Sequence, residues 1–277
     1  MNVKCVALDL DRTTLNGEGR LSEGNRQALL QTMEKGIHVI VASGRAFDTL
    51  PKAILELPGL EYAVTSNGAA MYHVPTGKCL HSYRMRAEDV QAIMDATVAQ
   101  PVTYEAFIHG VAYAGREYIE NPVAYGATPQ AVEYVRTTRH LVEDIQGFID
   151  RHKEELDCMD IIVGEEAIKQ EIWKRIEECT KEIYMTTSVQ QLIEISHRSA
   201  GKHSGIKYFM ERLDLKPEEI AAFGDADNDV DMLAFAGCGI AMENASVKCK
   251  EVADYVTKHH TEDGVAYGLR EILGVIE

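Results

Sequence analysis

The sequence has no Cys-x-x-Cys pair, no long apolar run and a shortage of positive charge. Its six cysteines (Cys5, Cys79, Cys158, Cys179, Cys238 and Cys249) are scattered. That spacing suits buried or idle thiols in a reducing cytoplasm rather than a disulfide framework or a zinc site. The apolar run from Val3 to Leu8 already contains Lys4 and stops at Asp9. It is too short for a signal-peptide core or a membrane span, so a cytoplasmic protein is expected. Lysine and arginine number 28 against 44 aspartate and glutamate, a net charge of −16. This balance argues against nucleic acid or an anionic membrane surface as partner. Internal repeats and low-complexity segments are also absent.

What is present is a globular composition. The chain has 277 residues, 45% apolar and 26% charged, enough for two domains that each bury a core. Val3 to Leu8 has the character of a central parallel strand covered on both faces. Ser22 can cap a helix that carries Ala28, Leu29 and Met33 on one stripe and ends at Gly36. Residues 37–42 then form a second strand, about 47–55 a helix and 62–65 a third strand. The β-α-β-α-β order implies a parallel sheet with right-handed crossovers. A similar rhythm returns in the C-terminal part: a helical face with Ile206, Phe209, Met210 and Leu213, then strands at 220–223, 239–242 and 255–257. The middle differs, with amphipathic helices marked by Val90, Ile93, Met94 and Thr97 and by Ile168, Ile172, Trp173 and Ile176. Hairpin-like strands accompany them at 102–107, 111–113, 160–163 and 183–187. The expected fold is therefore α/β, a Rossmann-like parallel-sheet core with an inserted α+β cap. Residues 1–83 and 189–277 are assigned to the core and 84–188 to the cap.

Polar clusters recur at strand ends. Asp9 and Asp11 follow the first strand, Ser43-Gly44-Arg45 the second, Ser66-Asn67-Gly68 the third, and Gly224 to Asp229 the strand at 220. Open α/β sheets bind ligands at the carboxyl ends of their strands. Any one cluster has an ordinary explanation, because turns favour Asp, Asn, Ser and Gly. Asp9-Leu10-Asp11 alone is compatible with an Asp-rich turn. Asp225 and Asp229 suit Mg2+, which takes a few carboxylates and keeps several waters, yet acids there also cap helices. Asp227 and Asp231 are expected to do only that, or to be solvated. Ser43 and Gly44 can offer a hydroxyl and N–H groups to a phosphoryl oxygen, or simply cap the next helix. Lys202, before another helix, is by residue type a surface charge. Four such clusters in one sheet are harder to attribute to turn chemistry.

Taken in order, these stretches resemble the haloacid dehalogenase-like phosphatases, in particular the Cof-type branch with a large α+β cap. Asp9-Leu10-Asp11-Arg12-Thr13 is similar to the first signature and Ser43-Gly44-Arg45 to the second. Lys202 falls where the third places its lysine, and Gly224-Asp225-Ala226-Asp227-Asn228-Asp229 is similar to the fourth. Ser66-Asn67-Gly68-Ala69, the segments 239–245 and 253–257, and Glu262-Asp263-Gly264-Val265 agree as secondary marks. The chain departs from the pattern at Arg12 and Thr14, where Gly and Leu are usual, at His203 for a common Gly, and at His259-His260, where an Asn often stands.

The resemblance implies a Mg2+-dependent phosphatase acting on small phosphorylated metabolites through an aspartyl-phosphate. Asp9 would be the nucleophile and Asp11 the general acid and base. Asp9, the backbone carbonyl of Asp11, Asp225 and Asp229 would hold the metal, and Ser43, Gly44, Lys202 and Asn228 the phosphate. Metal and lysine would then supply the positive charge that an acidic chain needs beside a phosphate. Sugar phosphates are the expected substrates, with pyridoxal phosphate and flavin mononucleotide as rivals. Arg45 is expected to pair with a core acid, with reach to the substrate as the alternative. The cap residues Tyr104, Glu105, His109 and Tyr113 either face the leaving group or are ordinary strand residues. A phosphotransferase or phosphomutase using the same intermediate is the alternative enzyme, and a phospho-ligand sensor the non-catalytic one. The presence of Asp11 argues against a sensor, which has little use for a general acid.

Overall fold

The computed structural model describes residues 2–277 as two compact units. One comprises residues up to 45, 50–81 and 201–277; the other comprises 46–49 and 82–200. Among the described residues no helix is long and apolar enough to cross a membrane, and no cysteine is paired.

The first unit opens with β1 (Cys5–Leu8), α1 (Glu23–Glu34), β2 (His38–Ala42), a short α2 (Lys52–Leu55) and β3 (Tyr62–Thr65). Ser22 caps α1 as its sequence suggests, its hydroxyl accepting from the Asn25 N–H at 3.1 Å. The helix anticipated over 47–55 is broken into a 3-10 turn (Phe47–Thr49) and α2, because Pro51 lacks an N–H and drives the preceding residue out of the helical region. Two strands not foreseen follow, β4 (Ala70–His73) and β5 (Lys78–Ser82), with β4 antiparallel to β3.

The second unit contains α3 (Ala87–Thr97), β6 (Thr103–Ile108), β7 (Val111–Gly115), α4 (Arg116–Glu120), α5 (Val132–Thr138), β8 (His140–Val142) and α6 (Ile145–His152). It continues with β9 (Leu156–Ile162), α7 (Glu166–Cys179), β10 (Ile183–Thr186) and β11 (Leu192–His197). Its six strands run in the order β10-β11-β9-β6-β7-β8, and all pairs are antiparallel except β7 with β8. One apolar cluster joins Val90 and Ile93 of α3, Ile149 of α6, and Ile172 and Ile176 of α7 to Tyr104, Met159, Ile161 and Ile193 of the sheet. Tyr104 is thus a core residue, with its hydroxyl 2.9 Å from that of Thr97. The expected boundary at 188 falls short, because β11 pairs with β9 and β10 and the unit runs on to Ala200.

Across this sheet three buried acids stand in register: Glu105 opposite Asp160, and Asp160 opposite Glu194. Arg139 grips Glu105 with two bonds of 2.7 and 2.8 Å. Burial, then Glu194 and Glu105, push the Asp160 carboxyl far above its ordinary value, which Arg139 only partly offsets.

The chain returns to the first unit with α8 (Lys202–Arg212), β12 (Ile220–Gly224), α9 (Val230–Phe235), β13 (Cys238–Ala241), α10 (Val247–Val252), β14 (Tyr255–Val256) and α11 (Gly264–Tyr267). The eight-stranded sheet has the order β14-β13-β12-β1-β2-β3-β4-β5 and is parallel from β14 to β3. β1, β2 and β12 therefore lie side by side, and their carboxyl ends open on one edge.

Candidate active site

At the end of β1 the Asp9 N–H still donates to Phe223 O of β12 at 3.0 Å, so the parallel ladder carries Asp9 to the sheet's rim. The chain then turns sharply. Thr14 Oγ1 donates to Asp9 O at 2.6 Å, the Leu15 N–H closes onto Leu10 O, and Arg12 adopts φ 60°. That left-handed conformation is one glycine adopts without penalty, which accounts for the glycine usual at this place in the resembling family. Asn244 Nδ2 bonds Arg12 O at 2.9 Å, and Arg12 Nε lies 3.7 Å from Asp225 Oδ2.

Asp9 and Asp11 end up in different surroundings, although only Leu10 separates them. The Asp9 side chain is buried. Asp11 is about half exposed, at 51%, and is held by Arg45, whose Nη2 and Nε reach its two oxygens at 2.6 and 2.8 Å. Arg45 thus pairs with a core acid as expected, and that acid is the acid–base candidate. The turn after β2 seats Ser43 between Val64 O, which its N–H reaches at 2.9 Å, and the Arg45 N–H, which donates to Ser43 Oγ at 3.2 Å. Gly44 lies within that turn and is half-buried.

Lys202, by residue type a surface charge, is the first residue of α8 and only 1% exposed. Its ammonium donates to Asp9 Oδ1 and Asp229 Oδ1, both at 2.6 Å. Burial alone would lower its pKa; Asp229 and Asp9 outweigh this and raise it above the ordinary lysine value. The other oxygen of Asp229 accepts the N–H groups of Asp225 and Ala226 at 2.9 and 3.0 Å. Asp229 is therefore the acid that organises this turn, whereas Asp227 bonds Lys248 at 2.7 Å and Asp231 lies 3.9 Å from His203. Gly224 leaves the room this needs: a Cβ there would sit 2.5 Å from that of Asp229.

Asp9, Asp225 and Asp229 each offer an oxygen, and these oxygens lie within 4.8 Å of one another. Burial, then Asp229, drives the Asp9 pKa up to about 7, with Lys202 opposing. Burial, then Asp9 and Asp229, drives Asp225 to about 8, with Arg12 and a 3.1 Å bond from Thr13 Oγ1 opposing. Three close carboxylates facing one buried ammonium and one largely exposed guanidinium form a site short of positive charge. An oxygen-preferring divalent cation of the Mg2+ kind fits it.

Asn228 Nδ2 donates to Asn67 Oδ1 at 2.9 Å, while Asn228 Oδ1 and Ser66 Oγ are buried with no hydrogen-bond partner among the described residues. Thr13, Asn67 and Asn244 were not singled out as site residues. Asn67 and Asn244 carried a signal, since both sit in polar strand-end segments, but nothing in their type told them from turn residues. Ser43, Gly44 and Asn228 bond none of the clustered acids, whereas Asp9, Lys202, Asp225 and Asp229 converge.

The family model of haloacid dehalogenase-like hydrolases matches residues 6–269. The chain belongs to this family. Among its relatives, the phosphatase YwpJ of Bacillus subtilis is 32% identical over 98% of this chain and 100% of its own. The 5-amino-6-(5-phospho-D-ribitylamino)uracil phosphatase YcsE of the same organism is 27% identical, covering 98% of this chain and 96% of its own. A haloacid dehalogenase-like hydrolase structure from B. subtilis superposes with a TM-score of 0.86 at 28% identity, over 98% of this chain and 100% of that one. The sugar phosphatase BT4131, with a TM-score of 0.83 at 21% identity over 99% and 100%, shares the fold. For a haloacid dehalogenase-like hydrolase, the departures at Arg12 and His203 leave the clustered carboxylates and Lys202 in place.

Proposed function

We propose that the protein is a Mg2+-dependent phosphatase that hydrolyses small phosphorylated metabolites in the cytoplasm through an aspartyl-phosphate on Asp9. The observation that carries this reading is the unequal placing of two neighbouring acids. Asp9 is buried against Lys202 and beside Asp225 and Asp229, while Asp11 is half exposed and held by Arg45. One carboxylate is set for attack and the other for proton transfer.

Asp9 attacks phosphorus; its bond to phosphorus forms as the bond to the leaving oxygen breaks, and Asp11 gives that oxygen its proton. Asp11, now ionised, takes a proton from water, which attacks the acyl-phosphate, releases inorganic phosphate and returns Asp9 to its carboxylate. Lys202 and Asn228 hold the phosphoryl oxygens, with the hydroxyl of Ser43 and the backbone around Gly44, and so stabilise the charge that develops there. The side chains of Asp9, Asp225 and Asp229, with the Asp11 carbonyl, would hold Mg2+, which supplies charge neutralisation between the attacking carboxylate and the phosphoryl dianion. The inserted unit chooses the substrate. A phosphorylated sugar or sugar-alcohol is the favoured class, in keeping with the phospho-ribityl compound in the names of several relatives.

The test is a hydrolysis screen over phosphorylated metabolites with Mg2+, reading free phosphate, with Asp9→Asn as the blank. Near-normal turnover by Asp9→Asn would remove Asp9 as nucleophile. Transfer of the phosphoryl group to an acceptor without free phosphate would replace hydrolysis by phosphotransfer.

A further inference from the structure

Between β3 and β4 three successive residues lie in the left-handed region: Ser66 at φ 50°, Asn67 at φ 51° and Gly68 at φ 86°. A run of this kind costs free energy at each non-glycine position and persists only where its surroundings impose it. Those surroundings are the other strand ends of the site. The Asn67 N–H donates to Ser43 O at 3.1 Å, tying it to the turn after β2. Its carbonyl accepts the Gly201 N–H at 2.8 Å, immediately before Lys202. Its side-chain Oδ1 accepts from Asn228 Nδ2 at 2.9 Å. Gly68 must be glycine for the same reason, since a Cβ there would sit 2.0 Å from Gly201 O.

We propose that Asn67 is a positioning residue for phosphate binding, setting Lys202 through its backbone and Asn228 through its side chain. The inference rests on the phosphatase reading, in which Lys202 and Asn228 touch the phosphoryl group and Asn67 does not. One amide thereby links three segments distant in sequence. Its side chain orients Asn228 by occupying one amide hydrogen of that residue, and its carbonyl fixes the start of α8 where the buried ammonium emerges. Holding ligand-binding groups in place in this way is worth up to about a hundredfold in rate, because small displacements of positioned groups lower rate steeply.

The backbone and side-chain roles separate experimentally. Asn67→Gly keeps the left-handed conformation and the backbone bonds but deletes the acceptor for Asn228. Asn67→Ala deletes the same acceptor and puts at φ 51° a residue that lacks the polar side chain by which Asn tolerates the left-handed region. Both are made in the natural background and with Asn228→Ala, and kcat and KM are measured on p-nitrophenyl phosphate with Mg2+. Affinity for inorganic phosphate by calorimetry and the melting temperature are recorded on the same samples. Asn67→Gly is expected to lower kcat/KM and phosphate affinity about tenfold with a nearly unchanged melting temperature. In the Asn228→Ala background the same change should have less than about a twofold effect, since the group it positions is gone. Asn67→Ala should add a loss of stability.

Equal losses in both backgrounds, or activity loss that only tracks the melting temperature, would overturn the proposal. An unaltered Asn67→Gly enzyme would do so as well. If the natural protein binds phosphate but hydrolyses nothing, the phosphatase reading fails, and the coupling measured in phosphate affinity still decides the role of Asn67. A protein that neither binds phosphate nor turns over removes both.

Discussion

Lys202 donates to Asp229 Oδ1 at 2.6 Å, while the second oxygen of Asp229 ties down the N–H groups of Asp225 and Ala226. One of the two acids that neutralise the buried lysine is thus the one that shapes the acidic turn. Charge balance and loop geometry at the site are one arrangement, and disturbing either partner disturbs both.

Lys202→Met keeps the length of the side chain but leaves Asp9 and Asp229 buried without their ammonium. Breaking a buried ion pair from one side costs about 3–5 kcal/mol. The melting temperature of the metal-free variant should fall by several degrees, and Mg2+ should restore more stability to it than to the natural protein. Thermal melts with chelator and with Mg2+ check both points, and equal metal responses would count against the shared site.

Arg45→Met releases Asp11. Exposed ion pairs contribute little to stability, about 0–1 kcal/mol, and Asp11 is half in solvent. The melting temperature should barely change. Turnover should drop about tenfold to a hundredfold, because the proposed proton donor is no longer oriented. A large fall in stability with unchanged kcat would assign Arg45 a purely structural role.

Arg12→Gly removes a side-chain residue from φ 60° and the guanidinium 3.7 Å from Asp225. Relief of the left-handed conformation should add about 1 kcal/mol of stability. Loss of a competing cation should tighten Mg2+ binding. Melts and metal titration by calorimetry read the two effects separately.

The pH response has a definite sign. Asp9 and Asp225 sit at about 7 and about 8 in the metal-free protein, above their ordinary value of 3.8. Between those limits the folded chain holds protons that the unfolded chain has released, so stability is greatest below the ordinary value and is lost as pH rises through the folded values. Metal-free melting temperatures should therefore decline from about pH 5 to about pH 8.5, setting other groups aside. Mg2+ affinity should rise over the same interval, because bound carboxylates must first give up their protons. A flat metal affinity across it would contradict the acid cluster.

In the inserted unit, Asp160→Asn removes an acid whose ionised form is disfavoured between Glu105 and Glu194. The variant should gain stability over the natural protein as pH rises above the ordinary carboxyl value, because the unfolded natural chain gives up a proton that its folded form retains. Arg139→Met should act in the opposite direction by leaving Glu105 buried without its guanidinium. Melting curves at two pH values separate these effects.

The sequence made the catalytic rim legible because parallel strands bring their carboxyl ends together, so Asp9, Ser43, Asn67 and Asp225 could be aligned by topology alone. Lys202 was misleading as an isolated residue, since its burial depends on two acids, one 193 positions away. Asp229 keeps its expected place among the clustered acids and also takes the capping part expected of Asp227, because which acid of a turn reaches back to its N–H groups is set by backbone angles rather than residue type. The boundary was missed at β11, where Leu192-Ile193-Glu194-Ile195 has the alternation of a strand in either sheet. Only pairing with β9 decides it. Arg12 reads as an anomaly in sequence and as a backbone requirement in the fold.

The order of strands has a consequence for synthesis. Cys5 of β1 pairs with His38 on one side and with Ile220 on the other. A nascent chain emerging from the ribosome can join β1 to β2 early, yet β1 must wait for the whole inserted unit before its second neighbour arrives. Asp9 consequently spends most of translation at an open sheet edge, with neither Lys202 nor Asp225 yet made. The acid cluster comes into being only when residues 201–277 join the sheet, so a prematurely released chain carries the proposed nucleophile without its buried partners.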